Sequence, residues 1–176
     1  MKHKRVILTG FMGTGKTAVA EILAKKLGFI FLDTDLTVEK ETGKTITEIF
    51  EQEGEASFRE TEKKMVKKAL DKEKVVVATG GGAVTDSENL KLMKEKGIVI
   101  GLAASPEAIL KRISSLDTRP LLQTEDQLKK IKSLLSHRSR FYREADRIID
   151  TTFKKIEETV EEILKALDTT HGDNPH

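Results

Sequence analysis

Short β-branched runs alternate along this chain with longer stretches in which apolar residues recur every three or four positions. The runs at 6–8, 29–32, 75–78, 98–103 and 147–149 read as strands. Several are apolar at successive positions, as in Val75-Val76-Val77-Ala78, the pattern of strands covered by helices on both faces. Ala18, Val19, Ile22, Leu23 and Leu27 form one helical stripe, which Gly28 stops. Ile156, Val160, Ile163, Leu164 and Leu167 form the last. Five strands separated by helices predict an α/β domain of three layers, with a five-stranded parallel sheet flanked by helices. A single domain is expected over residues 1–168, followed by a disordered tail over 169–176.

Two segments break the alternation. Residues 35–72 are long, highly charged and helical in pattern, more than a simple crossover needs, and are read as an inserted subdomain of two or three helices. Residues 114–127 are polar, contain Pro120 and lead into another helix, which suits a mobile lid.

Composition narrows the function. In 176 residues, 31 basic side chains balance 29 acidic ones, so a net charge of +2 gives little pull toward nucleic acid or an anionic membrane. With no Trp and one Tyr, a stacking platform for bases is not expected. The absence of cysteine excludes disulfides, zinc thiolates and thiol catalysis, and suits a cytoplasmic protein. The charged start, Met1-Lys2-His3-Lys4-Arg5, is followed by an apolar run that Thr9-Gly10 interrupts far short of a signal-peptide core. No membrane partner is expected, and no exposed apolar stripe argues against a monomer.

The chemistry starts directly after the first strand. Gly10-Phe11-Met12-Gly13-Thr14-Gly15-Lys16-Thr17 completes the pattern G-x-x-x-x-G-K-[ST] between a strand and a helix. The glycines let successive backbone N–H groups turn inward on phosphate oxygens, Lys16 reaches the outer phosphates and the Thr17 hydroxyl can ligate Mg²⁺. The helix N-terminus adds a favourable dipole for anions.

Beyond strand two lie Asp33 and Asp35. Two residues apart in an extended chain they face the same way, toward the crevice at the carboxyl edge of the sheet. One acid can hold Mg²⁺ through water while the other accepts a hydrogen bond from a substrate hydroxyl; the alternative is that one of them caps the helix beginning near Leu36. Strand three runs into Gly80-Gly81-Gly82 with no acid at its end, which leaves Asp33 as the better partner for a metal. Three glycines allow close backbone approach to a ligand, although a flexible turn is the simpler reading. Arg59 precedes Glu62 by three residues on an expected helix, a spacing at which the carboxylate can orient the guanidinium. Arg119 heads Arg119-Pro120-Leu121-Leu122 in the lid segment, and Arg138 lies one turn before Tyr142.

In this order and approximate spacing, the loop, the Asp33/Asp35 pair, the stretch from Gly43 to Gly54-Glu55, Phe58-Arg59, the triple glycine, the Arg119 motif and Arg138 with Tyr142 resemble shikimate kinase over nearly the whole chain. The resemblance implies a P-loop kinase fold and phosphoryl transfer from ATP, with Mg²⁺, to the 3-hydroxyl of shikimate. It implies that Gly13, Thr14, Gly15, Lys16, Thr17 and Ala18 wrap the ATP phosphates, that Thr17 ligates Mg²⁺ and that Asp33 lies in the ion's water shell. Asp35 would bind the reacting hydroxyl, Arg59 and Arg138 the substrate carboxylate, and Gly81 would offer its N–H. Arg119 would reach the phosphates from the lid and Arg112 would lie against adenine. Lys16, Asp35 and Arg119 are the catalytic residues on this reading.

Rival readings have weaker support. Gluconate kinases and nucleoside monophosphate kinases share the loop and a lid but lack this set of motifs. A guanine-nucleotide switch would need N-K-x-D and D-x-x-G, and neither occurs. The lysine pairs Lys63-Lys64 and Lys67-Lys68 sit beside glutamates, as a solvated helical face does, which argues against a nucleic-acid module.

Overall fold

The structure is a computed structural model and describes residues 3–113 and 126–169. Residues 114–125 of the expected lid, Arg119 among them, and 170–176 of the expected tail lie outside the described residues.

Five strands form one parallel sheet: β1 (Arg5–Gly10), β2 (Ile30–Asp33), β3 (Val75–Ala78), β4 (Ile98–Ala103) and β5 (Arg147–Asp150), in the order β2-β3-β1-β4-β5. The continuous apolar runs are explained by what each face meets. Val6, Leu8, Val76, Ala78, Ile100 and Leu102 pack against α1 (Lys16–Leu27) and α7 (Ile156–Thr169). Ile7, Val75, Val77 and Val99 pack on the other face against Val66, Ala69 and Leu70 of α3 (Ile46–Leu70) and Met93 of α4 (Ser87–Lys96). Each strand therefore obeys the two-residue period, but both of its faces are core. The edge strands differ: Ile30 of β2 and Ile148 of β5 are half-exposed, because each lacks a neighbour on one side.

The insertion consists of α2 (Thr34–Thr42) and α3. Gly54 (φ 84°, ψ 167°) breaks α3 into two helical segments, so the stretch holds three helical pieces around a small core of Val38, Ile49, Phe58 and Met65. Thr45 and Glu48 close the start of α3 by a reciprocal capping box. The remaining helices, α5 (Pro106–Ile113) and α6 (Gln127–Tyr142), seal Phe11 and Met12 of the loop after β1 with Ile109, Ile113 and Ile131. Helix α7 continues to Thr169, two residues past the last apolar position of its stripe. Among the described residues no helix is long and apolar enough to cross a membrane.

One local expectation fails. Asp35 is not on an extended strand, because the helix starts at Thr34 and Asp33 is its N-cap, accepting from the backbone N–H groups of Asp35 (2.9 Å) and Leu36 (3.2 Å). The cap ends β2 one residue earlier than alternation through Asp35 requires, so Asp33 and Asp35 take different directions.

Candidate active site

The loop after β1 is shaped by its glycines. At Gly10 (φ +142°) a Cβ would lie 2.3 Å from the carbonyl oxygen of Leu102, so β1 and β4 approach here as only glycine permits. Gly15, in the left-handed region at φ 94°, is the N-cap of α1; it has no side chain to cap the helix, and α1 has no acid in its first turn. The N–H groups of this first turn, which includes Thr17 and Ala18, are thus presented in an anion-attracting field. Lys16 is 8% exposed and folds back over the loop, its Nζ donating to the carbonyls of Gly10 (2.8 Å) and Phe11 (3.0 Å). Thr14 braces the same turn through its hydroxyl to Phe11 O at 2.7 Å.

The Thr17 hydroxyl donates to Oδ2 of Asp33 at 2.7 Å, while Oδ1 of that carboxylate caps α2. Both sequence readings of Asp33 therefore hold, one for each oxygen. Arg112, on α5, bridges the loop to the segment after β5: it donates to Gly13 O (3.3 Å), to the Thr151 hydroxyl (3.1 Å) and to the carbonyls of Thr151 (2.5 Å) and Thr152 (3.4 Å).

A second group of polar residues assembles beside this loop from distant parts of the chain. The three glycines after β3 each meet something different. A Cβ on Gly80 would fall 2.3 Å from Oε1 of Glu62 and 2.6 Å from Oδ1 of Asp35; one on Gly82 would fall 2.5 to 2.7 Å from the Arg59 guanidinium. At Gly81 the neighbours are the loop itself, Met12 N at 3.2 Å and Gly10 O at 3.4 Å. The turn is fastened by Gly80 N–H donating to the Thr34 hydroxyl (3.0 Å) and by the Tyr142 hydroxyl donating to Gly81 O (2.6 Å). The simpler reading of Gly80-Gly81-Gly82 as a flexible turn is thereby replaced by close packing on three sides.

Arg59 lies over the Phe58 ring and is held by Glu62 (2.8 Å) and Glu55 (3.0 Å). Burial works against its charge, but the two carboxylates more than offset this and raise its pKa. Glu62, 1% exposed, is the reverse case. Burial drives its pKa up and the nearby Asp35 adds to this, against the pull of Arg59 and Arg138. Tyr142 is pushed up to about 12 by burial, with Arg138 acting in the opposite sense. Arg138 of α6 thus faces the same space as Glu62 and Tyr142, and the structure brings Asp35, Arg59, Gly81 and Arg138 together next to the loop. Thr34, Glu55 and Thr151 were not singled out by the sequence reading. Thr34 and Glu55 each sit beside a residue that was, whereas Thr151 carries no signal in its surroundings.

An apolar cavity of about 480 Å³ lies between β4, β5 and α6, lined by residues such as Leu102, Ala103, Leu135 and Ile148. It shares Phe11, Thr14 and Tyr142 with the neighbourhood of the loop, but Asp35 and Arg59 are not in its walls.

Comparison with known proteins agrees with this arrangement. The family model for shikimate kinase matches residues 12–168. The shikimate kinase of Caldanaerobacter subterraneus subsp. tengcongensis is 48% identical over 163 residues, 93% of this chain and 95% of the relative; that of Thermodesulfovibrio yellowstonii is 46% identical over 92% and 94%. Among solved structures, shikimate kinase from Acinetobacter baumannii in complex with shikimate superposes with a TM-score of 0.94 at 37% identity, covering 98% of this chain and 97% of that one. The enzyme from Aquifex aeolicus gives 0.85 at 37% identity, over 97% and 99%. The five-stranded parallel sheet and its helical layers are therefore the P-loop kinase fold, and the chain belongs to the shikimate kinase family, enzymes that phosphorylate shikimate with ATP.

Proposed function

We propose that this chain moves the γ-phosphoryl group of ATP directly and in line to the 3-hydroxyl of shikimate, with the glycine loop as the donor half of the site and the Asp35, Arg59, Gly81 and Arg138 cluster as the acceptor half. The observation that carries this reading is the contact between the halves: at Gly81 a side chain would touch the loop backbone at Met12 and Gly10. A hydroxyl on one side is thereby brought to a phosphate on the other without a long reach.

On the donor side, Gly13, Thr14, Gly15, Lys16, Thr17 and Ala18 surround the phosphates. Lys16, now resting on Gly10 and Phe11 carbonyls, exchanges those acceptors for phosphate oxygens. Arg112 borders the adenine, and Arg119 meets the phosphates. Thr17 and Asp33 are adjacent, oxygen-only donors at the mouth of the loop, a pairing that fits Mg²⁺, a hard cation that keeps several waters. Bound there, Mg²⁺ would neutralise charge on the phosphate oxygens.

On the acceptor side, the planar guanidinium groups of Arg59 and Arg138 hold the substrate carboxylate and Gly81 offers its N–H. Asp35 accepts the hydrogen bond of the 3-hydroxyl, aligns it and takes its proton as the new P–O bond forms and the bond to ADP breaks. A loose transition state asks little base strength of it. The enzyme works on a small molecule in the cytoplasm as a monomer, with no nucleic acid or membrane partner, a state that size-exclusion chromatography with light scattering checks.

The test is release of ADP from ATP and Mg²⁺ by purified protein with shikimate, gluconate, nucleoside monophosphates or no acceptor. Release with shikimate alone is expected. Release with another acceptor would leave the loop assignment standing and overturn the acceptor cluster.

A further inference from the structure

Glu62 is a carboxyl group with two unlike oxygens. Oε2 accepts from Arg59 at 2.8 Å, whereas Oε1, equally enclosed, accepts no hydrogen bond among the described residues. That oxygen shares one side of Gly80 with Oδ1 of Asp35: both lie within 2.6 Å of the point a Cβ on Gly80 would occupy. The charged groups facing Glu62 are Arg59 on its own helix, with Glu55 behind it, Asp35 from α2 and Arg138 from α6. Two cations thus balance a crowd of acids in a dry place.

A ligand carboxylate seated on Arg59 and Arg138 adds one more negative charge to this group and draws on the same two cations. Like charges in a poorly hydrated site are relieved most cheaply by protonation of the one whose ionised form is least supported. We propose that Glu62 is a proton-linked positioning residue: as an anion it holds Arg59 in the empty site, and it takes up a proton from solvent at Oε1 when the substrate carboxylate binds to Arg59 and Arg138. Neutral Glu62 then becomes a hydrogen-bond donor beside Asp35 instead of a second charge. Burial already moves Glu62 in this direction before any ligand arrives. The proposal rests on the assignment of Arg59 and Arg138 to the substrate carboxylate.

Calorimetry of shikimate binding to the full chain without nucleotide, in PIPES and in imidazole at about pH 6 and about pH 7.5, reads the proton directly. The expected result is an apparent enthalpy that differs between buffers, corresponding to uptake of up to about one proton per shikimate. KM for shikimate should rise with pH by up to about tenfold per unit within the linked range. Glu62→Gln should abolish both the buffer dependence and this slope. Equal enthalpies in the two buffers for the unaltered protein at both pH values would overturn the proposal even if the variant failed to fold, and so would a variant that kept the uptake. Shikimate binding to Arg59→Lys as tightly as to the unaltered protein would instead overturn the carboxylate assignment beneath it.

Discussion

The two halves of the site are built from different material. The donor half is one stretch of eight residues whose backbone does the binding, bent by Gly10, Gly13 and Gly15 at positive φ and closed over by a single lysine. The acceptor half is made of side-chain charge gathered from α2, α3, the turn after β3 and α6, and its glycines serve to bring Glu62, Asp35 and Arg59 close to the main chain. Backbone recognition survives in a local motif; charge recognition depends on the whole fold delivering each group to its place.

The contrast is broken most forcefully at Lys16. Lys16→Ala should lower kcat by about 10³-fold, through loss of charge stabilisation at the transferring group, with little change in KM for shikimate. Steady-state kinetics with both substrates varied would detect the opposite pattern, a shikimate effect, which would merge the two halves.

Alanine at Gly10 and at Gly80 sharpens the comparison. At Gly10 the new methyl meets the backbone carbonyl of Leu102 at 2.3 Å with φ at +142°, and neither strand can yield. Gly10→Ala should cost about 2–4 kcal/mol of folding stability, read by denaturant titration. At Gly80 the methyl meets the ends of two side chains, which can move. Gly80→Ala should therefore remain folded while losing about tenfold or more in kcat/KM for shikimate, because Glu62 and Asp35 are displaced.

Arg59→Lys keeps the charge but removes the planar fork. An increase in KM for shikimate of about 10- to 100-fold, with KM for ATP unchanged, is expected from loss of charge-assisted hydrogen bonds. A matching rise for ATP would show that the acceptor cluster is not separable from the loop.

The smallest effect is on stability against pH. Glu62 has a raised pKa in the folded protein, so its neutral form is favoured by folding. Its contribution is present in full below the unfolded-state pKa and declines as pH rises through the folded one. Relative to Glu62→Gln, which does not titrate, the unaltered protein should lose Tm as pH increases across that window. A rising difference would mean that Arg59 and Arg138 outweigh burial.

What could be read from the chain follows the same division. Strands β3 and β4 have the bounds expected of them because their apolar runs are flanked by charged residues and glycine. The phosphate loop is legible because its geometry is local. Asp35 was placed on an extended strand because alternation alone cannot tell that Asp33 turns its carboxylate back to cap a helix. The pairing of Glu62 with Arg59 follows from helical spacing, but its burial does not: Glu62 stands between Thr61 and the Lys63-Lys64 pair, where a solvated face is the natural reading. Only the packing of the turn after β3 against α3 takes that carboxylate out of water.

The bond from the Tyr142 hydroxyl to Gly81 has a practical side. Tyr142 is the only tyrosine in the chain and there is no tryptophan, so the protein's intrinsic ultraviolet emission originates at one ring, and that ring touches the proposed acceptor half. Occupancy of the site can therefore be followed optically without a label, and every change in the signal has a single address.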